Sequence, residues 1–205
     1  FETFELNGMG IARANISDFR FERLTAPDGT EEFWKGDQPG FGVFVEQLPD
    51  GYLYLWGCYW TGMFLARVRP KHIEQLGRYE YLVEAPTRTN PQAKPVWDSS
   101  PDNAVSLFDN VPNELSVAYN PYLGKHIAIH VWGRENKLVV RTAPAIYGPW
   151  SGPETFYEPQ RIGEDDLFTA AKEHPEMRQQ GGKISYVTYV NSAQYVPVLL
   201  QLTWR

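Results

Sequence analysis

The run KHIAIHVWG at Lys125–Gly133, followed by KLVVRTA at Lys137–Ala143, has a counterpart earlier in the chain. There GYLYLWG at Gly51–Gly57 precedes GMFLARV at Gly62–Val68, so an aromatic-rich run ending in Trp-Gly, a turn and an apolar run with an arginine occur twice. A related run, GMGIAR, stands near the start at Gly8–Arg13. Strand-length units that recur at intervals of roughly 50–75 residues predict a β-propeller.

Short strands between turns account for most of the remaining sequence. The 17 glycines and 16 prolines are spread throughout, and no long window carries apolar residues at helical spacing. The exception is Asp165–Glu173, which is predicted to form one or two helical turns capped by Asp165 or Asp166. The fold class is therefore predicted to be all-β, and the architecture a β-propeller.

The predicted strands group into about three blades. Residues 1–25 end an incomplete blade, 40–84 and 113–158 each form a complete blade, and 174–205 form a final blade without its outer strand. A five-bladed propeller of four-stranded blades needs about twenty strands, whereas about thirteen are predicted here. The chain thus reads as a partial propeller. A companion polypeptide from a cleaved precursor would supply the missing strands, or the sequence is a piece of a longer chain.

Composition excludes several classes of partner. Hydrophobic residues make up 42% of the 205 residues and aromatic residues 15%, which is enough for a packed core. The net charge of −6, without a cluster of Lys or Arg, argues against a nucleic-acid partner. No apolar stretch reaches the length of a membrane span. The four histidines and the single Cys58 show no zinc-type spacing, so no metal ligands are predicted.

Two longer phrases carry a resemblance to a known family. ELSVAYNPYLG at Glu114–Gly124 and RTAPAIYGPW at Arg141–Trp150 are the sharpest matches, and the likeness extends from about Gly8 to Trp204. The chain resembles a family of five-bladed propellers that was long known only as a domain of unknown function. That family is similar to a larger clan of glycoside hydrolase-like propellers, and some of its members are endo-D-arabinanases.

The resemblance implies a secreted, glycan-active protein that attacks an arabinan or a related polysaccharide or oligosaccharide. No cofactor is expected, apart from a channel cation such as calcium, which some propellers of that clan contain. In related propeller hydrolases one catalytic carboxylate commonly comes from the first blade. If that blade is absent, this chain carries at most half of the catalytic pair.

Glycoside hydrolysis requires two carboxylates, so acids that open innermost strands are the catalytic candidates. Glu114 directly precedes the strand LSVAY, and Asp37 lies in the loop before the first strand of the first complete blade. Both are predicted to be catalytic. The competing interpretation of Glu114 is a structural acid that binds the turn or an arginine of an adjacent blade.

Substrate-binding candidates come from two other segments. His174 and Glu176 are predicted to precede the innermost strand of the last blade and to contact the substrate. The competing interpretation is a histidine in a surface loop and an ordinary solvated acid. Trp97 and Asp98 lie in a long Pro-rich connection, where a surface loop would present the indole to a sugar ring; alternatively, Trp97 packs against a blade.

Three functions therefore stay open at this point. The first is a glycoside hydrolase-like enzyme, and the second is a carbohydrate-binding propeller without catalysis. The third is a structural or interaction subunit that another chain completes. The separation of the carboxylates distinguishes the first two, and a buried apolar edge on an outer blade marks the third.

Overall fold

The computed structural model describes residues 7–112, 114–163 and 166–205. Within these residues the regular structure consists of strands and short 3-10 turns, and no helix is long and apolar enough to cross a membrane. The chain falls into two compact units. Their described parts are residues 7–59, Met63–Glu84 and Val96–Ser106 in unit 1, and Trp60–Gly62, Ala85–Pro95 and residues from Leu107 to Arg205 in unit 2.

The strands of unit 1 include the first of the predicted repeats. In chain order they are β1 (Gly8–Met9), β2 (Ala12–Ala14), β3 (Phe21–Arg23), β4 (Trp34–Lys35), β5 (Gly40–Gln47), β6 (Leu53–Tyr59), β7 (Gly62–Val68), β8 (Glu80–Glu84) and β9 (Val96–Asp98). Consecutive strands β5 to β9 form a five-stranded sheet, while β1 pairs with β4 and β2 with β3.

One face of this five-stranded sheet packs on an aromatic core. Trp34 is 1% exposed, and its indole Nε1 donates a hydrogen bond of 2.9 Å to the hydroxyl of Tyr81. Its ring also meets the ring of Tyr79 edge to face, with the centroids 5.4 Å apart. Burial of these large rings, with the indole N–H satisfied, fixes the β1–β4 ribbon on the sheet.

The strands of unit 2 form two further sheets. They are β10 (Ser116–Asn120), β11 (Lys125–Val131), β12 (Leu138–Ala143), β13 (Glu154–Tyr157), β14 (Phe168–Glu173), β15 (Ile184–Asn191) and β16 (Val196–Thr203). The first four form one antiparallel sheet and the last three another, each with neighbours in chain order.

Alternate residues of these strands form a shared core because successive side chains of a strand point to opposite faces. The buried members are Ile127, Ile129, Val131, Leu138, Val140, Phe168, Ala171, Val187 and Tyr189. Sheets of consecutive strands that pack face to face are the blades of a propeller. The predicted all-β, propeller-type fold class is confirmed, whereas the number of five blades stays a prediction.

The segment before the last predicted strand pair differs from expectation. Phe168–Glu173 is strand β14, so the helix predicted over Asp165–Glu173 is wrong, and Asp165 itself lies outside the described residues. The innermost strand of the last blade, which was expected after Glu176, is β14, and Pro175–Met177 forms a 3-10 turn. The Ala, Lys and Glu of this segment favour a helix locally, but burial of Phe168 and Ala171 between strands outweighs that preference.

Candidate functional site

Glu114 precedes β10 and is half-buried in unit 2. Its Oε2 accepts a short hydrogen bond from the backbone N–H of Ala170 in β14. Further along both segments, the hydroxyl of Ser116 accepts a hydrogen bond of 2.7 Å from the backbone N–H of Glu173. The first strands of the two sheets therefore lie side by side, and Glu114 bridges them near the start of β10.

The backbone is irregular where Glu114 binds it. Ala170 has a φ of 54°, in the left-handed region, and the pairing of β14 with β15 shifts register between Thr169 and Lys172. A non-glycine residue in this region costs about 1–2 kcal/mol. Such β-bulges occur next to active sites because they redirect side chains and free backbone groups from the ladder. Glu114 accepts the N–H that the bulge presents.

The segment that leads into Glu114 is fixed by its backbone groups. Asn110 O accepts a hydrogen bond of 2.8 Å from Gly133 N, and Val111 N donates one of 3.1 Å to Thr61 O. Asp109 O accepts a third, of 3.2 Å, from the guanidinium of Arg141. Three consecutive residues, Asp109 to Val111, are thus held through their backbone groups.

Arg141 is itself buried and is part of a small polar network. Its Nε donates to His130 Nε2 over 3.3 Å, and its guanidinium lies 4.8 Å from the centre of the Phe108 ring. His130 Nδ1 lies 2.7 Å from Val131 O, so Nδ1 carries the proton and donates while Nε2 accepts. Burial lowers the pKa of His130 to about 4, which agrees with a neutral imidazole.

A second acid of unit 2, Asp166, precedes β14. It is 4% exposed, and its Oδ2 accepts hydrogen bonds of 2.6 Å from Ile162 N and 3.0 Å from Asn191 Nδ2. The hydrogen bond from the backbone of Ile162 lowers the pKa of Asp166 most strongly, and that from Asn191 adds to it. Asp166 is therefore an ionised acid that anchors loops.

His174 and Glu176 lie together, but not where the sequence predicted. His174 Nδ1 is 3.3 Å from Glu176 Oε1, and its Nε2 is 2.8 Å from the hydroxyl of Thr188. They follow β14 instead of preceding the innermost strand, because that strand comes before Pro175 and not after it. The predicted position is wrong; a role in substrate binding stays a prediction.

The prediction that Trp97 and Asp98 occupy a surface loop is also wrong, since both belong to β9 of unit 1. The indole of Trp97 is half-buried and lies 4.2 Å from the guanidinium of Arg67, an arrangement that packs it on the sheet. Asp98 Oδ1 accepts a hydrogen bond of 2.7 Å from Ser100 N. Strand β9 forms the edge of the sheet. The sequence did not predict it, because the prolines around it are typical of a loop.

Asp37, the second predicted catalytic acid, lies in unit 1. It is exposed in the tight turn before β5, where Gln38 N donates a hydrogen bond of 3.0 Å to Lys35 O. Its catalytic role stays a prediction. Among the described residues no group of three or more His, Cys, Asp or Glu side chains could hold a metal ion.

A sequence model of the family described as "Domain of unknown function (DUF4185)" matches residues 12–199. The chain belongs to this family. That match bears out the predicted membership in a family of unknown function. A comparison of this DUF4185 chain with curated proteins gives no match.

Solved structures similar to this DUF4185 chain include a protein from Bacteroides ovatus whose assignment as a hydrolase is provisional. The TM-score is 0.56 at 17% identity, over 80% of this chain and 44% of that one. An exo-β-1,3-galactanase from Phanerochaete chrysosporium has a TM-score of 0.47 at 13% identity, over 88% of this chain and 38% of that one. The chain thus spans less than half of these structures, and the first likeness shows the fold alone.

One residue that the sequence reasoning missed is Trp60. It occupies the two-residue turn between β6 and β7, is 81% exposed and has a φ of 54°. Hairpin turns of this length usually place Asn or Gly at such a position. A tryptophan there was a signal that could have been recognised from the sequence alone.

Proposed function

We propose that this chain belongs to a secreted, glycoside hydrolase-like propeller that binds arabinan or a related polysaccharide, with Glu114 as one catalytic carboxyl group. The observation that carries the proposal is the position of Glu114. It is half-buried at the start of an innermost strand and is oriented by an N–H of a left-handed bulge. The propeller-type fold and the DUF4185 match support the same class of function.

The hydrogen bond from Ala170 suits Glu114 to act as the general acid. In a protonated carboxyl group, Oε2 would be the carbonyl oxygen that accepts the backbone N–H. Oε1 would then carry the proton and donate it to the oxygen of the leaving sugar as the glycosidic bond breaks. A second, ionised carboxylate must activate water or attack the anomeric carbon from the other side.

The second carboxylate comes either from this chain or from a first blade. Asp37 is our candidate from this chain, and the resemblance to propeller hydrolases offers an acid from the first blade instead. Asp166 is excluded from this role because the backbone of Ile162 and the amide of Asn191 already occupy its buried carboxylate. Asp37→Asn is assayed for arabinan hydrolysis as a separate variant.

A carbohydrate-binding protein without catalysis is the second candidate. It is favoured by the same hydrogen bond, because a carboxylate engaged with a bulged strand also has a structural role. In that case Glu114 would stabilise the bulge, and sugar binding would take place on a preformed surface. The two candidates predict different outcomes for Glu114→Gln, whose amide oxygen still accepts the N–H of Ala170.

The experiment compares Glu114→Gln with Glu154→Gln, which changes an exposed acid of the same unit. Two quantities are measured: the release of reducing ends from arabinan, and the binding of arabinan. Each is measured on the 205-residue chain by itself and on protein isolated from its native source. The hydrolase proposal predicts a loss of roughly 10²–10⁴-fold in rate for Glu114→Gln with binding retained. Equal rates for the two variants would overturn it, and binding without hydrolysis by the unmodified protein would favour the second candidate.

A third candidate, an interaction subunit, is favoured by β16. Among the described residues the sheet β14–β15–β16 ends in this eight-residue strand, which has no charged side chain and leaves Val196 and Leu199 more than half exposed. Uncharged edges of this length pair readily with another strand. Intact-mass measurement of the native preparation beside size-exclusion chromatography tests it: a second polypeptide that co-elutes supports a companion, and a lone folded species of 23.5 kDa contradicts it.

A further inference from the structure

The hairpin of β2 and β3 in unit 1 is exposed to solvent along its whole length. Every residue from 12 to 23 is exposed, and Ile16, Phe19 and Phe21 are so to 86%, 71% and 74%. A two-stranded ribbon is marginally stable in water by itself, and large apolar side chains on its surface favour association. A cover for these side chains therefore has to come from outside the two strands.

The turn of this hairpin contains the triplet Asn15-Ile16-Ser17. It is the one place in the 205 residues where Ser or Thr stands two positions after an asparagine. With a middle residue other than proline, this pattern is the acceptor for N-linked glycosylation. A triplet this short also arises by chance, so the geometry of the turn decides what the asparagine can do.

The side chain of Asn15 is oriented by Ser17. Its Oδ1 accepts hydrogen bonds of 3.0 Å from the backbone N–H of Ser17 and of 2.8 Å from the hydroxyl of Ser17. Because a backbone N–H can only donate, the atom that faces it is the amide oxygen, and the amide nitrogen lies on the other side. Within the described ranges no hydrogen bond engages Nδ2 of Asn15. The nitrogen is thus open to a reagent from solution.

A second turn of unit 1 shows what the fold itself requires. Asp28 Oδ1 accepts the same two hydrogen bonds from Thr30, of 3.0 Å from its N–H and 2.7 Å from its hydroxyl. The other oxygen of Asp28, Oδ2, lies 2.7 Å from Nζ of Lys35. The described structure thus uses both terminal atoms of Asp28 but only one of Asn15. A carboxylate would serve the turn at position 15 as well, so the unused amide nitrogen is what distinguishes Asn15.

We infer that Asn15 carries an N-linked glycan. In the transfer, Nδ2 loses a proton to a base of the transferring enzyme and bonds to the anomeric carbon of the sugar. The bond from that carbon to the pyrophosphate of a lipid-linked oligosaccharide breaks, and the lipid pyrophosphate leaves with the electron pair. Negative charge that develops on the amide is shared with Oδ1, where the N–H and the hydroxyl of Ser17 stabilise it.

The inference rests on the secretion that is part of the proposed function, because glycans of this kind are attached to exported proteins. It also supplies the cover that the hairpin needs. A bulky, hydrated glycan on Asn15 stands in the same turn as Ile16 and Phe19 and reduces the access of other proteins to their apolar surface. A partner that buried this turn would instead exclude the glycan.

The test uses the protein as its native source produces it. Trypsin cleaves after Arg13 and Arg20 and releases the peptide ANISDFR, whose mass is measured before and after enzymatic removal of N-linked glycans. Three variants are produced in the same organism. Ser17→Ala lacks the hydroxyl, Ser17→Thr keeps it, and Asn15→Asp keeps a turn of the Asp28 type without the amide nitrogen.

The expected result is a sugar on the peptide of the parent and of Ser17→Thr, and its loss in Ser17→Ala and in Asn15→Asp, which is still secreted and folded. Secreted parent protein with an unmodified peptide would overturn the inference and leave the proposed function standing. A sugar that persists on Asn15 in Ser17→Ala would overturn it as well. If the protein is found only inside the cell, the proposed secretion fails, and the glycan with it.

Discussion

The carboxylate of Glu173 is held by the guanidinium of Arg178 in a bidentate ion pair, with Nε to Oε1 at 2.7 Å and Nη2 to Oε2 at 2.6 Å. The side chains are only 1% and 10% exposed. The hydroxyl of Ser185 donates to the same carboxylate, and Arg178 Nη1 donates to Tyr119 O over 2.6 Å. One ion pair thus joins β14 to β15 and to the end of β10.

Arg178→Met is therefore expected to destabilise the protein by about 3–5 kcal/mol, because it leaves a buried carboxylate without its partner. Lys137→Met is the control, since the pair of Lys137 with Glu135 is exposed and should contribute about 1 kcal/mol or less. Urea unfolding measures both. Equal midpoints for the two variants would show that Glu173 is satisfied without Arg178.

Two adjacent glycines give a second, sharper comparison. Gly182 has a φ of 97°, and an added Cβ would lie 2.6 Å from Oδ1 of Asn120. That oxygen accepts hydrogen bonds from the backbone of Tyr122 and Leu123, so displacing it would disrupt the turn between β10 and β11. Gly182→Ala is expected to cost roughly 2–4 kcal/mol.

Gly181→Ala is the matched control. Its φ of 65° also disfavours alanine, but an added Cβ would meet nothing within 4 Å. The expected cost is about 1 kcal/mol of backbone strain alone. Thermal unfolding of the two variants distinguishes steric conflict from strain; a Gly181→Ala variant that is the less stable of the two would contradict the argument.

The sequence predicted those parts of the fold whose pattern is local. Strands β6, β7, β11 and β12 lie where the repeated runs predicted them. The Trp-Gly of KHIAIHVWG lies in the turn after β11, whereas Trp56-Gly57 lies inside β6 and the turn follows at Trp60 and Thr61. Strands β11 and β12 are buried on both faces, as their nearly continuous apolar runs indicate. Each of these strands is bounded by turn residues, so its position can be predicted without knowledge of contacts with distant residues.

The parts that the sequence concealed depend on distant contacts. Nothing near Ala170 indicates that Glu114 will bind its N–H and stabilise a bulge, so the helix-forming composition of that segment misled the prediction. Trp97 is placed in β9 by its contact with Arg67, which is far away in sequence.

His130 predicts a loss of stability in acid. In the folded protein burial lowers its pKa to about 4, while in the unfolded chain the pKa of histidine is near 6.5. Below pH 6.5 this histidine is protonated in the unfolded chain but still neutral in the folded protein. The free energy of unfolding therefore falls until about pH 4. The total decrease in the free energy of unfolding from this group is about 3 kcal/mol.

His130→Gln should remove this part of the pH dependence. The variant is expected to be less stable than the parent at pH 7.5, because Arg141 loses its acceptor Nε2, but the difference should shrink steadily between pH 6.5 and pH 4. Urea unfolding at half-unit steps of pH measures it, and the plateau above pH 7 serves as the internal reference. A constant difference over the whole range would show that His130 is not the group responsible.

Ala170→Gly separates the strain of the bulge from its contact with Glu114. Glycine adopts a φ of 54° without penalty, so the variant is expected to gain roughly 0.5–1 kcal/mol of stability despite the greater flexibility of its unfolded chain. Ala171→Gly, at the next position of β14, is the control. Ala171 is fully buried and does not have a positive φ, so its replacement by glycine should cost about 1 kcal/mol.

The same variant also bears on the candidate site. Glycine keeps the N–H that Glu114 accepts, so arabinan binding by Ala170→Gly should equal that of the unmodified protein. Chemical unfolding and calorimetric titration together decide the matter. Destabilisation like that of Ala171→Gly would mean that Ala170 is not strained; greater stability with weakened binding would mean that the methyl group of Ala170 itself contributes to the sugar-binding surface beside Glu114.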